Sequence, residues 1–238
     1  MLDPLRAHDP RLSHFVDGLP RYRAWLEREL DAARRAGPDT AAPVATASIY
    51  LGIKLAEADR YALSVVTEAR TLPRKANALR AYLLGWVRLS MAVDSFVFAS
   101  YGALDALAQV VVQVCAVTPD EEVKFPALER LLVGASPGSA AAAARAVVLD
   151  TLGAAWFRDL RRLRNLINYR SVLPAAPGGG LPLGRARAVW PDPPLPALDR
   201  LDALAPYARD TLARVAATVE AVLVGLDTPR DLAKEPQA

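Results

Sequence analysis

The chain has 238 residues and a mass of 25.6 kDa, with 53% hydrophobic residues and a mean hydropathy of +0.14, so it can bury a core and is not a disordered chain. A single cysteine, Cys115, and two histidines, His8 and His14, exclude a disulfide framework, a thiolate zinc site and a multi-histidine centre, so no metal and no cofactor is expected. The net charge of +3 rests on arginine, with lysine only at Lys54, Lys75, Lys124 and Lys234, a pattern that fits an anionic partner or GC-rich coding.

Roughly a fifth of the chain is alanine and only 7% is aromatic, which favours helix over sheet. Pro20 to Ala36 reads as a helix packing Trp25, Leu26 and Leu30, stopped by Gly37-Pro38. Val44 to Leu72 reads as helix through Ile49, Ile53, Ala56, Leu63 and Val66, although partial alternation allows a hairpin. Pro73 to Val117 has the strongest helical period, running from Leu79 through Leu83, Trp86, Leu89 and Val93 to Val111 and Cys115. It is one long helix or two joined near Gly102. Asp120 to Val133 reads as a shorter helix. Ser139 is placed to cap a helix that runs to about Tyr169. The alanine run from Ala140 to Ala144 suits close helix packing or simple surface filler. A last helix spans about Asp199 to Leu226. The expected architecture is all-α, an up-and-down bundle with a long central helix. A single domain covers 1–230, with a Pro- and Gly-rich loop over 171–196 and a tail over 231–238.

Several chemistries are set aside. Gly178-Gly179-Gly180 lacks the Lys-Ser/Thr of a phosphate-binding loop. Carboxylates stand singly, and Asp94 and Asp105 read as hydrogen-bonded groups at the edge of a core. Cys115 reads as core. No uncharged run is long enough to span a bilayer and the N-terminus has no signal-peptide core, so no membrane partner and a cytoplasmic location are expected.

The informative segment is WFRDLRRLRNLINYRSVLP, Trp156 to Pro174. On a helix, Trp156, Leu160, Leu163 and Ile167 line one side, and Arg158, Arg162, Asn165 and Tyr169 line the other. Arg161 and Asn168 flank the polar side, and Arg170 closes it. Like charges at Arg158, Arg161 and Arg162 disfavour their own helix by a few tenths of a kcal/mol per pair. Such a cluster suits a partner that brings negative charge.

Arg164-Asn165-Leu166-Ile167-Asn168-Tyr169-Arg170 resembles the R-N-x-x-x-H-R motif near the end of an amphipathic helix in HEPN domains. Ser95 to Val112 is similar to the long second helix of that family. The resemblance covers Pro73 to Ser171 and implies a helical, dimerising fold, often with metal-independent ribonuclease activity. In that chemistry Arg164 would hold the scissile phosphate and Asn165 would follow it. The histidine position is taken by Tyr169, and a phenol with a pKa of about 10 is a poor base at neutral pH. The resemblance therefore implies a degenerate catalytic set of Arg164, Asn165 and Tyr169. RNA or nucleotide would be bound by Arg158, Arg161, Arg162, Asn168 and Arg170, in a homodimer and in a bacterial defence or toxin–antitoxin setting. The alternatives are an active metal-independent endoribonuclease and a non-catalytic helical scaffold with an acidic protein partner.

Overall fold

The computed structural model describes residues 15, 17–37, 42–72, 78–117, 122–170 and 201–227. The protein is all-α, of helical-bundle character. Among the described residues there are seven α-helices, one short 3-10 turn and no strand. The helices are α1 (Pro20–Ala36), α2 (Pro43–Thr71), α3 (Leu79–Val114), α4 (Leu128–Leu131), α5 (Ala140–Gly153), α6 (Ala155–Arg170) and α7 (Leu201–Leu226). The 3-10 turn Phe125–Ala127 leads into α4.

The hairpin option for 44–72 is gone, since α2 is continuous across it. Its buried residues include Leu51, Leu55, Ala58, Ala62, Val65 and Ala69 and, as expected, Ala56 and Val66, whereas Ile49 and Ile53 are half-buried and Leu63 is exposed. Apolar residues lie all round this helix, so period alone does not fix its phase. Helix α3 runs unbroken through Gly102. Pro73 and the four residues after it lie outside the described set. The described part of Asp120 to Val133 holds the 3-10 turn, with Pro126 in it, and the single turn of α4, not one continuous helix. The helix expected to run from Ser139 to Tyr169 is two helices. Ala154 is extended at φ −71° and ψ 141°, which ends α5 and starts α6. The Pro- and Gly-rich loop and the tail lie outside the described residues.

The described chain groups into two compact units whose boundaries fall inside α2, α3 and α7 and between α5 and α6. Unit 1 holds α1, the start of α2, the end of α3, the 3-10 turn, α4, α5 and the end of α7. Tyr22, Trp25 and Leu26 of α1 are buried there. The Tyr22 hydroxyl donates to the Ser48 carbonyl at 2.6 Å, and the Trp25 indole N–H donates to the Ser48 hydroxyl at 3.0 Å. Backbone N–H of Tyr22 is accepted by Glu220 at 2.8 Å, which satisfies a free donor in the first turn of α1. Asp105 accepts from the Phe125 N–H at 2.9 Å and lies 3.9 Å from Lys124, so it is a hydrogen-bonded boundary carboxylate, as its position suggested. Ser139 caps α5 by accepting from the Ala142 N–H at 3.2 Å. A Cβ added to Gly225 would lie 3.3 Å from the Ala143 backbone, so the alanine run is a close packing seam.

Cys115 is half-exposed in the turn after α3 rather than core. The helix ends there because Ala116 takes the left-handed conformation at φ 50°. The Val117 N–H then reaches the Val112 carbonyl at 3.1 Å and the Ala116 N–H the Gln113 carbonyl at 3.4 Å, the bond pair of a Schellman cap.

Unit 2 holds the rest of α2 and α3, α6 and the start of α7. Leu89, Val93, Phe96 and Tyr101 of α3 are buried, as their spacing predicts, but Leu83 is exposed and Trp86 half-buried. The open side of α3 here carries Leu84, Val87, Met91 and Phe98. Helix α3 is apolar and long enough to cross a membrane, but 72% of its most apolar window is buried within the protein.

Candidate anion-binding helix

Helix α6 is held in unit 2 by Phe157, Leu160 and Leu163, all buried at i, i+3 and i+6. Phe157 takes the place that spacing assigned to Trp156, which is only half-buried and meets Phe157 edge-on at 5.9 Å. Leu160 and Leu163 are buried as their spacing assigned and Ile167 is half-buried, so the difference is confined to the first turn, where both rings are apolar. Phe157 stacks on Tyr101 with centroids 5.9 Å apart and planes at 26°.

Seven residues after Phe157, on the same face, Arg164 brings its guanidinium carbon to 4.1 Å from the Tyr101 ring centroid. Tyr101 is 3% exposed and Arg164 half-buried. This pairing was not evident in the sequence, because 63 positions separate the two residues. The one available signal was the shared face of Phe157 and Arg164 at i and i+7.

Arg158, Arg161 and Asn165 are exposed on the outer face, and Arg162 is half-buried beside them. The structure thus brings Arg158, Arg161, Arg162 and Asn165 onto one surface and sets Arg164 at its inner margin. The side chains of Asn168, Tyr169 and Arg170 lie outside the described set, so only their place in the last turn of α6 is given. Among the described residues, Arg158, Arg161 and Arg164 have no ion pair. The single carboxylate of α6, Asp159, is half-buried. With burial as the larger cause, it helps push the Tyr207 phenol of α7 upward in pKa. A side-chain hydrogen bond to Thr211 opposes that rise.

Charge is unevenly divided between the units. Among the described residues, unit 2 has eleven Lys and Arg against seven Asp and Glu, a net of +4. Unit 1 has nine against ten among its described residues, a net of −1. The overall +3 conceals this division, and the arginine helix lies in the basic unit.

No protein-family model, curated protein or solved structure matches this chain.

Proposed function

We propose that the protein is a HEPN-like, RNA- or nucleotide-associating protein that binds phosphate through the arginine face of α6 without efficient cleavage. The observation that carries this reading is a set of arginines on one helix, in the basic unit, of which Arg158, Arg161 and Arg164 have no carboxylate partner among the described residues. An arginine cluster serving only internal ion pairs would have spent its N–H donors on carboxylates. These donors remain open for phosphate oxygens, which arginine grips in a bidentate manner. A homodimer with α6 beside the two-fold axis, a cytoplasmic location and a defence or toxin–antitoxin setting belong to the same proposal.

The catalytic part of the motif is weak on chemical grounds. Tyr169 stands where a base near neutral pKa is needed, and general base catalysis commonly contributes ~10² to 10⁴-fold in rate. Wild-type protein is therefore expected to bind RNA in EDTA and leave it intact.

The test is a salt titration of single-stranded RNA binding. Replacing Arg158, Arg161, Arg162 and Arg164 together by Ala should weaken binding and flatten the log K against log salt slope by roughly 0.7 for each phosphate that is no longer neutralised. Unchanged RNA affinity in a folded quadruple variant would remove α6 as the binding face. Robust metal-free cleavage by the wild type, lost on Tyr169→Phe, would replace this reading with an active ribonuclease.

A further inference from the structure

Arginines are commonly fixed in place by carboxylates, and a carboxylate both holds and neutralises them. Arg164 is held differently. Its guanidinium carbon sits 4.1 Å from the centroid of Tyr101, and Tyr101 is in turn backed by the buried Phe157 ring at 5.9 Å. An aromatic face attracts the cation through its quadrupole but accepts none of the in-plane N–H groups. The five donors of the guanidinium fork lie in its plane, and among the described residues no hydrogen bond or ion pair takes them up. Both rings belong to the packed interior of unit 2, so the platform under Arg164 is rigid on the scale of core side chains.

We infer that Tyr101 is a positioning residue for Arg164, holding the guanidinium by its face with charge and N–H edge intact, so that Arg164 meets a phosphate oxyanion edge-on. This rests on the proposal that α6 binds phosphate and names which arginine is set in advance to do so. Arg158 and Arg161 are exposed and have no such platform, so they contribute charge and Arg164 contributes orientation. The shared ligand chemistry is a phosphate monoester or diester, from an RNA backbone or a free nucleotide.

The experiment uses the full chain with two probes, a mixed-sequence single-stranded RNA and AMP. Arg164→Ala, Tyr101→Phe and Tyr101→Leu are compared, along with the Tyr101→Leu/Arg164→Ala double variant. Tyr101→Phe keeps the ring and should bind as the wild type does. Tyr101→Leu keeps Arg164 but removes its platform, and should weaken binding by roughly 2- to 30-fold, the worth of a cation–π interaction. The double variant should be no weaker than Arg164→Ala alone, which marks the two residues as acting through one interaction. A purely structural role for Tyr101 would lower stability without this departure from additivity. If Arg164→Ala weakens binding and a folded Tyr101→Leu does not, the positioning role is overturned and the phosphate reading stands. If Arg164→Ala itself changes nothing, both fail at Arg164. RNA binding with no AMP response assigns the ligand to the polymer, and a response to both assigns it to the phosphate group itself; either agrees with the inference.

A variant-free measurement covers the case in which Tyr101→Leu does not fold. In the wild type, the Arg164 Hδ protons should be shifted upfield by the Tyr101 ring current in NMR spectra. On adding AMP or RNA the Hε signal should move downfield as the edge is hydrogen-bonded, while the Hδ shift persists. Collapse of the Hδ shift to the random-coil value on binding would show the guanidinium leaving the ring and would overturn the inference.

Discussion

Gly52 shows how closely one position can be fixed by another. A Cβ at that position would collide with the Tyr22 hydroxyl and lie 3.2 Å from the ring carbon that carries it. Gly52→Ala should gain the helix propensity of alanine, about 1 kcal/mol, yet destabilise by about 1–3 kcal/mol net through overpacking. Because the nearest clashing atom is the hydroxyl, Tyr22→Phe combined with Gly52→Ala should recover part of that stability in urea unfolding. Asp94 offers a second residue-level expectation. It is half-buried in α3, and desolvation raises its carboxyl pKa above the ordinary aspartate value. Its native state therefore holds the proton more tightly than the unfolded chain does. The stability that follows is fully present below the unfolded value and is lost as pH rises through the folded one. Asp94→Asn should accordingly raise the urea midpoint at neutral pH, with the gain shrinking toward zero as pH falls below the usual carboxylate range.

At the scale of elements, boundaries set by local chemistry were readable from sequence and those set by packing were not. Ser139 was identifiable as a cap because its side-chain oxygen answers a local donor, and the structure has that bond. Gly37 after α1 likewise stops a helix at φ 93°. The break at Ala154 had only a weak signal, Gly153 just before it, which disfavours a helix by about 1 kcal/mol without forbidding continuation. The phases of α2 and of α6 at Trp156 and Phe157 were also hidden, because two candidate faces were both apolar. The arginine face of α6 was visible from its spacing, whereas the stacking of Arg164 on Tyr101 depends on chain topology that no local pattern encodes. The end of α3 gives this scale its own test. Ala116 occupies a left-handed position that suits glycine. Ala116→Gly should stabilise by about 0.5–1 kcal/mol, read as a higher urea midpoint at unchanged m.

For the whole molecule, the positive charge is concentrated, because among the described residues one unit carries +4 and the other −1. Screening confines each field to about 10 Å at 0.1 M salt, so a surface at close range responds to the unit it meets and not to the sum. On chromatographic media at neutral pH and low salt, the protein should be retained by a cation exchanger through unit 2, and passage straight through would contradict that concentration of charge. An anionic ligand on α6 would offset part of the positive charge of unit 2, so purification and crystallisation of the free protein and of its complex call for different salt conditions.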